Sequence, residues 1–251
     1  MPESLGILGG MGPLATADFL RKLTEATPAR SDQEHIPTII YSVPQVPERT
    51  PAILGHGPSP LPAMREGVVF LENSGARAIA IACNTAHYWY DDLAEAVRIP
   101  ILHIVDGVIA ELSPSGVTSV GLMGTSGTLQ TGIYQQRLDH HGYRSVIPSP
   151  EDMTDRVMPG IALIKAGNIV AARALLEPVA QRLLDGGADG VVMACTEIPV
   201  ALADADVPLK PRLIDATTAL ARYCVAWWQK HQGDKPWGPS QTVGRASPPA
   251  P

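Results

Sequence analysis

Gly6-Ile-Leu-Gly9-Gly-Met-Gly12-Pro-Leu14-Ala-Thr16 decides the fold, because it recurs as Gly121-Leu-Met-Gly124-Thr-Ser-Gly127-Thr-Leu129-Gln-Thr131. The offset is 115 residues, from 6 to 121, and three glycines, a leucine and a threonine coincide. A second pair follows in the same order. Gly75-Ala-Arg-Ala-Ile-Ala-Ile-Ala82-Cys83 matches Gly187-Ala-Asp-Gly-Val-Val-Met-Ala194-Cys195, at an offset of 112 from 83 to 195. A weaker echo joins Ile104-Val-Asp106 to Leu213-Ile-Asp215, each just ahead of a helical pattern. Two echoes in one order at nearly one offset mean two halves built on one plan.

The segments around these motifs fix the class. Apolar runs at Leu5–Leu8, Thr38–Val43, Ala78–Ala82, Val117–Leu122, Arg144–Ile147 and Gly190–Ala194 read as strands. Apolar spacings of three and four predict helices at Ala15–Thr27, Pro60–Asn73, Asp91–Val97, Gly107–Leu112, Gly132–His140, Val170–Asp185 and Ala216–His231. Alternation of the two means βαβ units. The expected fold is α/β, with two pseudo-symmetric doubly wound domains, mostly parallel sheets and a cleft between them. The first domain is expected to take residues 1–112 and, by return of the last helix, 211–232; the second takes 113–210. The Pro-, Gly- and Ser-rich stretch 233–251 reads as a disordered tail.

Composition narrows the function. With 45% hydrophobic and 18% charged residues, the 251-residue chain reads as an ordinary globular protein. A net charge of −6 argues against nucleic-acid or anionic-membrane partners, which need clustered Lys and Arg. No apolar run approaches the roughly 18–20 residues of a membrane span, and Met1–Ser4 offers no basic leader. A cytoplasmic location is the expectation. Three cysteines without dense spacing argue for thiols rather than a disulfide framework.

Two of those thiols occupy equivalent places. Cys83 and Cys195 each end an apolar strand and precede polar residues, Asn84-Thr85 and Thr196-Glu197. In parallel sheets, ligands bind beyond the carboxyl ends of strands. Backbone N–H groups and a following helix start there are expected to favour thiolate. The loops Gly9–Gly12 and Gly124–Gly127 are expected to rim the same cleft, close to ligand. Two facing thiols suit one reaction in particular. Inverting an α-carbon removes a proton from one face and returns it to the other, so a base and an acid must flank a planar carbanion. A buried cysteine is more often a small hydrophobe, and Cys224, on an apolar helix face, is read that way.

Together, Gly6–Thr16, Asp32-Gln-Glu-His-Ile-Pro37, Pro44-Gln-Val-Pro-Glu-Arg-Thr50, Cys83-Asn-Thr-Ala-His87 and Ala194-Cys-Thr-Glu-Ile-Pro199 resemble the aspartate racemase branch of the aspartate/glutamate racemase superfamily. The likeness runs from about residue 4 to about residue 228 in the expected order. It implies a PLP-independent enzyme with no cofactor or metal, acting on a small amino acid and commonly forming a homodimer. It implies that Cys83 and Cys195 are the catalytic acid/base pair. Asn84, Thr85 and Thr196 would hold the α-carboxylate or shape its pocket, with Met11, Gly12, Thr125, Ser126 and Gly127 of the glycine loops at the same ligand. Arg49 and Lys165 match the basic pair that takes the side-chain carboxylate in aspartate-specific members. Glu197 stands where glutamate-specific members tend to carry His, which leans towards aspartate. Glu48 and Glu197 are candidate tuners of the thiols, raising their pKa by like charge.

Read without the resemblance, Arg49 sits in a Pro-bounded loop where a guanidinium can take a carboxylate bidentately, or is a solvated surface charge. Lys165 reads equally as a helix-end charge. His87, four after Cys83, could suggest a metal pair, but no further Cys or His stands nearby to complete a site, and neither glycine loop fits a nucleotide motif. Rival functions are a broad-specificity racemase, a small-acid binding protein without turnover, and a carboxylate isomerase or decarboxylase needing one thiol.

Overall fold

The computed structural model describes residues 3–202 and 209–231. The proposed tail, 233–251, lies outside them. In the first half the elements run β1 (Ser4–Gly9), α1 (Pro13–Ala26), β2 (Thr38–Ser42), α2 (Arg49–Ile53), α3 (Leu61–Asn73), β3 (Ala76–Ile81), α4 (Tyr90–Ala94), β4 (Ile101–Leu102) and α5 (Ile104–Leu112). The second half continues with β5 (Ser119–Gly124), α6 (Ser126–Thr131), α7 (Ile133–His140), β6 (Arg144–Val146), α8 (Pro150–Asp152), α9 (Met158–Lys165), α10 (Ile169–Asp185), β7 (Gly190–Ala194), α11 (Ile198–Leu202), β8 (Leu213–Asp215) and α12 (Ala216–His231).

Both sheets are parallel and share one topology. Their orders are β2-β1-β3-β4 and β6-β5-β7-β8, the second being the first advanced by four strands. Strand side chains alternate between faces, and the alternation divides the core into layers. Leu5, Ile7, Ala78, Ala80 and Ala82 of the first sheet face a shared layer with Val120, Leu122, Val192 and Ala194 of the second, packed with α1, α5, α7 and α12. Leu8, Ile79 and Ile81 face outward onto α3, while Met123, Val191 and Met193 face outward onto α9 and α10. The last helix of each half crosses to the other: α5 packs on α7, and α12 packs on α1 and α5. A Cβ on Gly107 would meet the Ala219 carbonyl at 2.9 Å, so α5 and α12 touch backbone to backbone.

Within the described residues, the expected return of 211–232 to the first half is divided between the two halves. β8 pairs with β7 in the second sheet, and α12 alone crosses over. Strands β4 and β8, of two and three residues, are too short to leave an alternation in the sequence. A glycine outside the repeat also acts in the loop. Gly10, matched by Thr125 in the second half, has φ +86°, and a Cβ there would lie 2.2 Å from the Val43 nitrogen, so at this position the loop packs against the chain just after β2. The repeated threonines share one cause: Thr16 and Thr131 each donate to the carbonyl four residues back, Gly12 and Gly127, at 2.9 and 2.8 Å.

Candidate active site

The ends of β3 and β7 meet across a cavity of about 170 Å³, lined by Cys83, Asn84 and Thr85 from one half and Thr125, Lys165, Cys195 and Glu197 from the other. Its volume suits a small molecule, below the ~300–1,000 Å³ of drug-sized sites. A larger groove of about 600 Å³ lies on the far side, but three of its cations, Arg21, Lys22 and Arg222, are already ion-paired. The smaller cavity brings together both strand-end cysteines.

Cys83 and Cys195 are 5% and 4% exposed, so each thiol meets little beyond this cavity and the protein. Their surroundings differ. Cys195 donates its S–H to Glu197 Oε2 at 3.1 Å, and Thr196 donates to the same oxygen at 3.2 Å. The other carboxylate oxygen, Oε1, accepts the Gly12 N–H at 3.3 Å, which ties this strand end to the glycine loop of the first half. Burial, reinforced by Glu197, pushes the Cys195 thiol well above its ordinary range. This reverses the thiolate expectation for Cys195, because burial and the Glu197 carboxylate outweigh the Glu197 backbone N–H that favours thiolate.

At the equivalent position in the first half stands Thr85. Its hydroxyl joins Thr125 at 3.0 Å and Thr128 at 2.8 Å in a closed ring across the two halves. Asn84 is positioned by a residue the sequence did not single out: Tyr134, fully buried on α7, donates to Asn84 Oδ1 at 2.5 Å. That leaves the buried Asn84 Nδ2 with no protein acceptor among the described residues. An unmatched buried donor costs about 1–3 kcal/mol unless a ligand or water takes it.

Arg49 opens α2 rather than lying in a loop. One of its terminal nitrogens donates to the Val46 and Pro47 carbonyls at 3.2 and 2.9 Å, and its buried Nε has no protein acceptor among the described residues. Lys165 ends α9 at the cavity, 3.8 Å from Glu48. Glu48 is 72% exposed and sits against Lys165 at the mouth, so its partner is a cation rather than a thiol. Met11 also lines the cavity, whereas Gly12, Ser126, Gly127 and Thr196 do not. A Cβ on Gly127 would reach Thr50 Oγ1 at 3.0 Å; this glycine lets α6 pack against α2. The sequence reading passed over Thr50, Pro51, Met158 and Ile161 at the wall; the last two belong to α9, a helix it did not predict. The described residues contain no group of three His, Cys, Asp or Glu able to hold a metal and no helix long and apolar enough to cross a membrane.

A doubled parallel α/β scaffold with its cavity between paired strand ends is that of the amino-acid racemases. The sequence matches the Asp/Glu/Hydantoin racemase family over residues 8–224, and the chain belongs to it. The Picrophilus torridus aspartate racemase is 33% identical and superposes with a TM-score of 0.80, covering 90% of this chain and 94% of that one. The broad specificity amino-acid racemase RacX of Bacillus subtilis (strain 168) is 30% identical over 234 residues, 91% of this chain and 99% of that protein. A glutamate racemase from Francisella tularensis subsp. tularensis SCHU S4, solved in complex with D-glutamate, shares the fold at a TM-score of 0.66 and 16% identity, covering 91% of this chain and 81% of that one. The chain is an isomerase of the amino-acid racemase type.

Proposed function

We propose that the chain racemises aspartate by a two-thiol mechanism without a cofactor. The observation that carries this is the placing of Cys83 and Cys195, one from each half, on one small cavity beside Arg49, Lys165 and the unmatched Asn84 amide. In this reading Asn84, Thr85 and Thr125 hold the α-carboxylate, and Arg49 with Lys165 takes the side-chain carboxylate. Cys195, whose proton is held by burial and Glu197, starts as the acid, and Cys83 as a thiolate starts as the base. Cys83 takes the α-proton and becomes a thiol. The planar carbanion then takes the Cys195 proton on its other face, leaving Cys195 as thiolate. The opposite enantiomer runs the same steps backwards, so protons balance over the pair.

A second reading is broader specificity. Glu48 stands 3.8 Å from Lys165 and offsets part of the positive charge that would select an acidic side chain. The similarity to a broad-specificity racemase supports the same direction. The test is incubation of the purified protein with L- and then D-aspartate in D2O, following optical rotation and the α-proton signal. Convergence of both on the racemate with α-deuteration supports the proposal. Inertness towards both, with turnover of neutral amino acids, overturns the substrate assignment in favour of the second reading.

A further inference from the structure

His87 follows Cys83 by four residues and is 2% exposed, yet it touches none of the cavity-lining side chains' polar atoms. Its ring meets backbone groups instead, the Asn84 and Leu102 carbonyls among them, and two of its contacts are hydrogen bonds that link separate segments. Nε2 accepts the N–H of Ile104, the first residue of α5, at 3.2 Å, and Nδ1 lies 2.9 Å from the Cys83 carbonyl oxygen. A backbone N–H can only donate, so Nε2 carries no proton; Nδ1 therefore bears the hydrogen and donates it to Cys83. The chain itself fixes the tautomer.

The groups around the ring keep it neutral. His103 lies edge-on at 4.6 Å, its own Nδ1 accepting the Val105 N–H. Tyr90 packs edge-on to His103 at 4.8 Å, Arg137 sits over Tyr90 at 5.4 Å, and Asp106 pairs with Arg137 at 2.8 Å. Burial holds His87 down at about 4. The other half has no such brace. The offset of 112, from 83 to 195, places Pro199 opposite His87, and among the described residues the Cys195 carbonyl is met by the Ile198 N–H at 3.1 Å, with no side chain in the place of the imidazole.

We propose that His87 is a positioning residue for Cys83: by clamping the Cys83 carbonyl to the start of α5, it sets the thiol's approach to one face of the substrate α-carbon. The inference rests on the two-thiol reading. It assigns to one half of the site a support that the other half lacks, so its loss acts on one half-reaction.

The test compares His87→Gln and His87→Asn in full-length protein. The Asn amide nitrogen falls near the place of Nδ1 and keeps the bond to Cys83; the Gln carbonyl reaches towards Nε2 and keeps only the bond to Ile104. Initial α-proton exchange in D2O is measured separately from L- and D-aspartate, with kcat and KM. The Cys195→Ser variant identifies which enantiomer Cys83 deprotonates. The expected result is an exchange about tenfold or more slower from that enantiomer in His87→Gln, with KM held, since small misplacements of a reacting group cost this much. His87→Asn should recover most of the loss. Equal loss from both enantiomers, or full activity in His87→Gln, overturns the proposal. A wild-type protein that exchanges neither proton overturns the two-thiol reading itself, and this assignment with it.

Discussion

The two thiol corners occupy equivalent positions in equivalent sheets, yet their second neighbours differ in kind. Beyond Cys195, Glu197 accepts the thiol proton and reaches Gly12 of the other half. Beyond Cys83, Thr85 at the matching position closes a hydroxyl ring with Thr125 and Thr128 of the other half. Each therefore bridges to the opposite domain, but only one bridge carries charge. A fold doubled for symmetry has been made chemically unequal at one residue per half. The lesson is that a racemase needs two faces but not two identical bases, since at any moment one must hold a proton and the other must lack it.

Several changes break or sharpen this contrast. The largest effect is expected from Cys83→Ser and Cys195→Ser, each lowering racemisation about 10²–10⁴-fold, the range of one lost acid/base group; full activity in either variant contradicts the pair. Next come the two cations. Arg49 has a buried Nε without an acceptor, whereas Lys165 is exposed and already shares Glu48. Arg49→Ala should therefore cost aspartate turnover about 10–100-fold, a charge-assisted pair being worth roughly 1.5–3 kcal/mol. Lys165→Ala should cost less, and both should spare alanine. Equal losses on aspartate and alanine would refute the side-chain assignment.

A smaller effect is expected of Glu197→Gln. The amide keeps an acceptor near Cys195 but removes the like charge, so the Cys195 pKa falls while burial keeps it raised. Both directions draw on the same singly protonated thiol pair, so the falling limb of kcat/KM, set by the Cys195 thiol, should move to lower pH for either enantiomer. Profiles that stay fixed would show that Glu197 does not act on the thiol.

The smallest effect is on stability. His87 is held at about 4 against 6.5 when unfolded, and burial lowers His103 too. Protons then bind the unfolded chain more readily. Stability should be complete above about pH 6.5 and fall as pH drops towards 4, by on the order of 3 kcal/mol for His87. Denaturant melts at pH 7 and pH 4.5 check this, and His87→Asn should flatten the loss. An unchanged melt in the wild type would mean that the neutral ring is not required.

The sequence showed much of this contrast before the structure did. The repeat placed both cysteines at strand ends because a glycine-rich turn and an apolar strand leave local, periodic signatures. It also gave Glu197 as a neighbour of a thiol. What it could not show depends on contacts far apart in the chain. Tyr134 meets Asn84 across 50 positions, and the brace from His87 reaches Ile104 across 17. Lys165 and Glu48 come together only because α9 folds over the cavity mouth, and α9 joins α8 through a π-helical turn, Met153–Val157, that masks its helical period. The direction of the Cys195 shift shows both kinds of signal. Glu197, two residues on, is legible in the sequence as a group that raises the thiol pKa, while burial, the larger cause, is tertiary.

The most direct test of the two-thiol account is α-proton exchange in D2O by Cys83→Ser and Cys195→Ser, each given L- and D-aspartate separately. The account predicts that each variant keeps proton exchange mainly from one enantiomer, that the two variants choose opposite enantiomers, and that inversion by each falls about 10²–10⁴-fold. Exchange of the same enantiomer by both variants, or inversion by either at the wild-type rate, would contradict it.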